Sequence, residues 1–168
     1  MEKSTAPRGK VKKRLGFTLI ELLVTMGIFS ILAALISINL IKPQTSASTD
    51  SQIQTLISDI KSQQLKSMLG ATDGSVASKK HGILISQDKY TLFSGDSFNP
   101  ADPNNFDVIL ENNLHLSTTF NSSTLLFEKL SGEVFGFSPG QNTITLTNQS
   151  DSSTKAITIG RYGSLSVN

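Results

Sequence analysis

The sequence contains no cysteine, so it can form no disulfide and has no thiolate for a metal site or for nucleophilic catalysis. Its only two histidines, His81 and His115, lack the short spacing to a second ligand that metal-binding motifs require. We therefore expect both histidines to be ordinary surface or strand residues. No glycine-rich segment ends in the G-K-[S/T] of a phosphate loop. These absences predict no catalytic residues, no metal and no cofactor, and therefore a protein that is not an enzyme.

The acidic residues also lack a calcium-binding pattern. Asp96, Asp102 and Asp107 lie in or beside the segment DSFNPADPNN, but their spacing differs from the D-x-D-x-D-G of a calcium loop. A segment this rich in Pro, Asn and Asp predicts a solvated surface loop.

Basic residues are scarce outside the first sixteen positions. Residues 1–16 carry a net charge of +5 and the rest of the chain carries −3, so the whole sequence has +2. The basic side chains of this leader are Lys3, Arg8, Lys10, Lys12, Lys13 and Arg14. Binding along DNA or RNA needs many Lys and Arg side chains near phosphates. Without the leader the chain is mildly acidic, and we expect no nucleic-acid partner.

One long apolar run, FTLIELLVTMGIFSILAALISINLI, occupies residues 17–41, and Glu21 is its only ionisable residue. As a helix with a rise of about 1.5 Å per residue it is roughly 37 Å long, enough for a hydrocarbon core of about 30 Å. We expect Lys42 and Pro43 to end it. Because the basic residues lie before the run, the N-terminus is expected to stay cytoplasmic and the C-terminal part to be extracytoplasmic.

Three kinds of N-terminal segment compete for this pattern. A secretory signal peptide has a shorter apolar region followed by a small-residue cleavage site, whereas IKPQTS follows here. A plain membrane anchor does not explain Glu21, because inserting a carboxylate into an apolar membrane span costs about 2.5–3.5 kcal/mol. A position near the headgroups, in the first helical turn, would reduce that cost. The third kind is a prepilin signal, which is cut before the apolar run.

The residues KKRLG-FTLIELLVTMGIFSILAAL resemble the signal of type IV prepilins and pseudopilins. That family has a short basic leader ending in Gly, then Phe, then Glu at the fifth position of the mature chain, which correspond here to Gly16, Phe17 and Glu21. The resemblance implies that a prepilin peptidase cuts between Gly16 and Phe17 and then N-methylates Phe17. It implies that Glu21 serves subunit assembly by neutralising the new amine, either in its own helix or in a neighbouring subunit. The implied partners are prepilin peptidase, sister pilins in a filament, an inner-membrane assembly platform and membrane lipid.

Residues 42–70 predict a linker and an amphipathic helix. QTSASTDS, residues 44–51, is polar, and Thr49 or Asp50 can cap the helix that follows. An apolar stripe then recurs with helical spacing, and Gly70 is a natural stop. The stripe consists of Ile53, Leu56, Ile57, Ile60, Gln64 and Met68.

Residues 71–168 predict a β-rich extracytoplasmic domain. The strand-like segments are HGILISQ, YTLFSG, FDVIL, LHLSTTF, TLLFEKL, GEVFGF, NTITLTN, KAITIG and SLSVN. Hairpin turns are expected at Asp88 and Lys89 and in QSDSS. The predicted fold is α+β, with a long N-terminal helix, transmembrane in its first half, packed on an antiparallel β-sheet C-terminal domain.

This order of elements is similar to the globular domain of GspH/FimT-type minor pseudopilins, in which two sheets follow the helix. The similarity extends over most of residues 50–168. It implies a minor pseudopilin or pilin subunit that assembles into a type II secretion pseudopilus or a type IV pilus. The alternative is a membrane-anchored binding module whose β domain captures DNA or a surface polymer.

Overall fold

The computed structural model describes residues 16–168, and for residues 35–47 it describes the backbone alone. Except for Gly16, the predicted leader lies outside the described residues. So do the side chains in the last part of the predicted membrane segment and at the start of the predicted linker. The chain forms two compact units, one ending at Ile41 and the other comprising Lys42–Asn168.

One α-helix, α1, precedes the strands and spans Leu19–Met68. The sequence predicts a break at positions 42–43, a linker over 44–51 and a new helix capped at Thr49 or Asp50. That prediction is wrong for the backbone, because α1 continues through all of these positions. A proline removes one helical hydrogen bond, but α1 continues beyond Pro43 to Met68.

Eight β-strands follow in the described residues, and they form two four-stranded antiparallel sheets. The strands are β1 (His81–Ile85), β2 (Lys89–Ser94), β3 (Phe106–Ile109), β4 (Leu114–Thr118), β5 (Thr124–Phe127), β6 (Thr143–Asn148), β7 (Thr154–Ile159) and β8 (Leu165–Val167). A short 3₁₀ turn, Asn121–Ser123, stands before β5. The first sheet has the order β3-β2-β1-β5 and the second β4-β6-β7-β8. A helix followed by antiparallel sheets makes this an α+β fold, as the sequence predicts.

Of the nine predicted strands, one does not form. In GEVFGF, residues 132–137, only Val134 pairs, through an isolated bridge to Phe127. Gly132 and Gly136 have φ angles of 69° and 64°. These left-handed values end the extended backbone on both sides of Val134, so the alternating pattern cannot become a strand.

The two predicted hairpin turns differ in how well they match. The turn between β1 and β2 lies one residue earlier than expected, because Lys89 already belongs to β2. It is closed by a hydrogen bond of 2.9 Å from the Ser86 N–H to the Lys89 carbonyl. QSDSS, residues 149–153, connects β6 to β7 as predicted, with Ser152 in the left-handed region at a φ of 57°.

Helix α1 contributes Ile53, Leu56 and Ile60 to one core that it shares with both sheets. These three members of the predicted apolar stripe are buried, and Ile57 is packed against the same core. The strand residues of the core are Ile83, Ile85, Tyr90, Leu114, Leu116, Leu125, Phe127, Ile144, Leu146, Ile157 and Ile159. The helical spacing thus identifies the buried face of α1 correctly from Ile53 to Ile60. Further along it is wrong, because Met68 is 47% exposed and Gln63 and Ser67 are buried instead.

Two polar contacts also join α1 to the first sheet. Ser67 is buried, and its Oγ accepts a hydrogen bond from the His81 N–H at 2.9 Å and donates to the Phe127 carbonyl at 3.3 Å. The Tyr90 hydroxyl donates to Asp59 Oδ2 at 2.6 Å. Burial, together with this hydrogen bond and the charge of Asp59, raises the pKa of Tyr90. Tyr90 is therefore a neutral donor, and its polar end is satisfied inside the core.

Three consecutive side chains of α1 contact the β domain: Ser48 meets the loop before β4, and Thr49 and Asp50 meet β6 and β7 of the second sheet. We call these three residues the helix anchor. Ser48 Oγ donates to Glu111 Oε2 at 2.5 Å, and Asp50 forms an ion pair with Lys155. Both of these contacts are exposed to solvent, where such pairs contribute at most about 1 kcal/mol. Thr49 lies between them and is buried, so we expect its hydrogen bond to contribute more than either exposed contact.

Replacement of Thr49 by valine is expected to lower the free energy of unfolding by about 1–3 kcal/mol. Thr49 Oγ1 accepts a hydrogen bond of 3.1 Å from Nδ2 of Asn148, and both residues are buried. Valine has nearly the same shape but cannot accept this bond. Urea denaturation of the unit Lys42–Asn168, followed by circular dichroism, measures the loss.

Thr55→Val is the matched control for this prediction. Thr55 lies on the exposed side of α1, and its hydroxyl donates to the Ser51 carbonyl at 3.0 Å. We expect a change within about 0.5 kcal/mol there. An equal effect of the two substitutions would show that the buried hydrogen bond does not matter.

Candidate processing and assembly site

The residues at the predicted cleavage point stand outside the helix. Gly16, Phe17 and Thr18 precede α1 and are exposed, with 78% of Phe17 accessible. A Cβ placed on Gly16 would have no heavy atom within 4 Å, apart from atoms of its two chain neighbours. The peptide bond between Gly16 and Phe17 is therefore open to an approaching protease.

Thr18 caps the start of α1. The N–H of Glu21 lies 3.1 Å from the Thr18 carbonyl oxygen and 3.3 Å from its Oγ1. Thr18 and Glu21 have the T-x-x-E spacing of a capping box, in which the first residue satisfies free N–H groups of the first turn. This role of Thr18 is not among the sequence-based predictions, although the residues TLIE carry the signal.

Glu21 lies in the first turn of α1, where the positive end of the helix dipole favours a carboxylate. Phe17 and Glu21 are four residues apart in the sequence, but Phe17 lies outside α1, two residues before its first residue. The two side chains are therefore not one helical turn apart on the same helix. The nitrogen of Phe17 is an uncharged amide in the intact chain. An ion pair between the two therefore requires cleavage after Gly16, and in this structure the helix does not preorganise it.

Over residues 19–34, α1 carries apolar side chains on all sides. Large apolar side chains are exposed throughout this stretch: Leu19, Ile20, Leu22, Leu23, Val24, Met26, Ile28, Phe29, Ile31 and Leu32. The hydroxyls of Thr25 and Ser30 donate to the Leu22 and Met26 carbonyls at 3.0 and 2.8 Å. Their polar groups are thus satisfied within the helix itself. A helix of this kind is stable when partner helices or lipid cover it.

Within the part of the chain that the structure describes, no helix combines the length and the apolar character needed to cross a bilayer.

The two histidines belong to strands. His81 begins β1 and is 1% exposed, with Nε2 2.9 Å from Asp73 Oδ2, so it is a buried residue. His115 lies in β4, with Nδ1 2.9 Å from Asp88 Oδ1. No group of three or more potential ligands is close enough to hold a metal among the described residues.

Asp102 and Asp107, two of the acidic residues considered as calcium ligands, lie in different structural environments. Asp102 Oδ1 accepts the Asn104 N–H at 2.9 Å inside the loop. Asp107 belongs to β3, where it accepts hydrogen bonds from Lys89 Nζ at 2.6 Å and Thr91 Oγ1 at 2.5 Å. These two hydrogen bonds, with the charge of Lys89, hold the pKa of Asp107 below its ordinary value. Asp107 is thus a strand residue rather than part of the loop.

The sequence contains one pattern typical of hydrolases, but the fold does not give it the structural context that catalysis requires. GFSPG, residues 136–140, has the G-x-S-x-G spacing of a hydrolase nucleophile elbow. That elbow requires the serine to stand between a strand and a helix. Here the segment is a loop before β6, with left-handed φ angles at Gly136 and Gly140. Ser138 therefore lacks the context of a nucleophile.

Residues 11–37 match the family model described as the prokaryotic N-terminal methylation motif. The matched stretch contains the predicted cleavage point, the capping threonine and Glu21. No curated protein and no solved structure matches the chain.

Proposed function

We propose that this chain, which carries the prokaryotic N-terminal methylation motif at residues 11–37, is the precursor of a type IV pilin-like filament subunit. The motif indicates a structural subunit rather than an enzyme. In this proposal a membrane-bound prepilin peptidase cuts between Gly16 and Phe17 and then methylates the new amino group of Phe17. The observation that carries the proposal is the motif match, which coincides with an exposed junction immediately before a helix.

After the cut, residues of the mature chain can still cap α1 and can balance the charge of the new N-terminus. It removes the leader and its net charge of +5. Thr18 remains in the mature chain, so the cap of α1 is kept. The new ammonium of Phe17 is placed near the positive end of the helix dipole, which disfavours a cation. Glu21 supplies the opposite charge, and its attraction for the ammonium is strongest where lipid or packed helices lower the dielectric constant.

The apolar residues 17–41 are proposed to reside first in the membrane lipid and later among sister helices in a filament. The support is the run of exposed apolar side chains on all sides of α1, together with hydroxyls that are satisfied internally. The basic leader would keep the N-terminus cytoplasmic and the unit Lys42–Asn168 extracytoplasmic. An inner-membrane assembly platform would move the subunit from lipid into the filament.

The finer assignment is a GspH/FimT-type minor pseudopilin of a type II secretion pseudopilus or a type IV pilus. It is supported by the architecture of the second unit, in which two four-stranded antiparallel sheets follow the helix. That is the arrangement implied by the resemblance of residues 50–168. In such a subunit the β domain makes the lateral contacts, and the apolar helix packs in the filament centre.

Mass spectrometry of the protein isolated from its native cells tests the processing step. The expected N-terminal peptide begins with methylated Phe17 and lacks the leader. A Gly16→Val variant is expected to accumulate as the full-length precursor, because a branched side chain restricts the backbone where the protease needs an open conformation.

The control for this experiment is Gly27→Ala, which changes a glycine inside α1, away from the junction, where an added Cβ would meet nothing within 4 Å. That variant is expected to be processed normally. Recovery of the wild-type chain with Met1 and the entire leader attached would contradict the proposal and would leave the plain membrane anchor as the alternative.

A further inference from the structure

A groove of about 540 Å³ lies on the outer face of the first sheet. Its floor is formed by Leu84 of β1 together with Thr124 and Leu126 of β5. Side chains alternate along a strand, and the neighbours Ile83 and Leu125 belong to the core. The floor residues therefore face away from α1. The volume lies within the range of about 300–1,000 Å³ that is typical of small-molecule sites.

Two aromatic walls of the groove are held in place by specific contacts. The ring of Phe98 meets Phe93 edge to face, with centroids 5.6 Å apart and planes at 79°. The ring of Phe135 lies 3.7 Å from Lys80 Nζ. The Phe135 N–H also donates to the Leu126 carbonyl at 2.8 Å. A site whose walls are already fixed loses little conformational entropy when a ligand enters.

The loop that carries Phe98 is itself ordered by hydrogen bonds. Asn99 Oδ1 accepts the Ala101 N–H at 3.1 Å, and Asn105 Nδ2 donates to the Asn99 carbonyl at 2.7 Å. The Asn105 N–H donates to the Asp102 carbonyl at 3.2 Å. This network orders the loop internally, and the ring contact with Phe93 of β2 attaches Phe98 to the sheet.

The rim of the groove is polar but almost uncharged. Its amides and hydroxyls belong to Ser97, Asn121, Ser122, Thr124 and Gln141. Asp96 is the single carboxylate of the lining, and no Lys or Arg is among the described residues that form it. Amides and hydroxyls both donate and accept hydrogen bonds. Lys80 is not part of the lining, and its Nζ already lies 2.9 Å from Glu128 Oε1 and 3.9 Å from Asp96 Oδ1. Such a rim suits a neutral ligand that carries many hydroxyl groups.

We propose that this groove binds a neutral oligosaccharide. A sugar ring has an apolar C–H face, which fits the rings of Phe98 and Phe135, and a hydroxyl edge, which fits the amides of Asn121 and Gln141. A purely apolar ligand would instead displace water from the polar rim and leave its amides and hydroxyls without hydrogen-bond partners. Hydrolysis is not part of the proposal, because glycoside cleavage generally uses two carboxylates and Asp96 alone lines the groove.

Binding is tested with the full chain in micelles of a phosphocholine detergent, because detergents with sugar headgroups would compete for the groove. Chitohexaose, maltohexaose and isomaltohexaose are the neutral probes, and a hyaluronan hexasaccharide is the anionic comparator. Backbone amide chemical shifts report where each probe binds, and calorimetric titration gives its affinity. We expect at least one neutral probe to shift amides of the groove lining and the hyaluronan probe to shift none of them.

Three substitutions locate the binding. Asn121→Ala and Gln141→Ala each remove one exposed amide and are expected to weaken binding by about threefold to tenfold. Phe135→Ala removes an aromatic wall and is expected to weaken it by about tenfold or more. Phe106→Ala is the matched control, since this phenylalanine is 64% exposed and lies on β3 outside the groove lining. Its affinity is expected to equal that of the wild type.

Phe135→Ala also releases Lys80, so the two amide variants decide the outcome if that variant does not fold.

The proposal is overturned if no neutral probe shifts the groove amides at roughly millimolar concentrations. It is equally overturned if hyaluronan binds as well as the neutral probes, or if the amide variants bind like the Phe106 control. All of the groove residues lie in the unit Lys42–Asn168. The result is therefore independent of whether the leader is cleaved.

Discussion

Glu21→Val is expected to leave membrane insertion and cleavage intact but to reduce incorporation into filaments by at least about 100-fold. Cleavage depends on the junction of Gly16 and Phe17, which the substitution does not change. Assembly would bury the new Phe17 ammonium among apolar helices, and breaking a buried ion pair costs about 3–5 kcal/mol. The subunit content of sheared filaments, compared with that of the membrane fraction by immunoblotting, measures the effect.

Two further variants separate charge from other causes. Glu21→Gln keeps the shape of the side chain and removes its charge, so it is expected to fail as Glu21→Val does. Glu133→Val removes a carboxylate from the surface of the β domain, where Glu133 lies 3.7 Å from Arg161, and is expected to assemble normally. Filaments that contain wild-type amounts of the Glu21→Val subunit would remove Glu21 from the assembly mechanism.

Ile60→Ala is expected to lower the free energy of unfolding of the unit Lys42–Asn168 by about 2–5 kcal/mol. Ile60 is fully buried where α1 meets both sheets, so truncation leaves a cavity that the packed strands fill only in part. Urea denaturation monitored by circular dichroism gives the difference. Since whole domains are stable by only about 5–15 kcal/mol, this one change removes a large part of the total.

Leu65→Ala is the matched control, because Leu65 lies on the same helix and is 54% exposed. Leucine and alanine both favour helix, so a change within about 0.5 kcal/mol is expected. Similar losses for the two variants would mean that α1 is not packed on the sheets as described.

The periodic patterns in the sequence predict most of the elements. Strict alternation identifies β6 and β7, and helical spacing identifies the face of α1 that carries Ile53 and Ile60. GEVFGF shows the limit of this approach, because it alternates as a strand does but is flanked by glycines in left-handed conformations. A pattern of apolar residues does not indicate the backbone angles of its neighbours.

The predicted linker at 44–51 shows a second limit. Its composition favours a loop, yet Thr49 meets Asn148 across 99 positions of the chain. The partner of Thr49 cannot be found from neighbouring residues, because it depends on which strand lies beside the helix. Intrinsic propensity is a weak tendency that such tertiary contacts override.

The sequence by itself determined the methylation motif, the candidate cleavage point and the nature of nearly every strand. All of these depend on residues within a few positions of each other, so local spacing is sufficient to find them. Only the tertiary structure decided that His81 is buried beside Asp73, and that Phe98, Asn121, Phe135 and Gln141 surround one groove. The four groove residues come from separate segments outside the strands, and the pairing of distant strands in the two sheets brings these segments together.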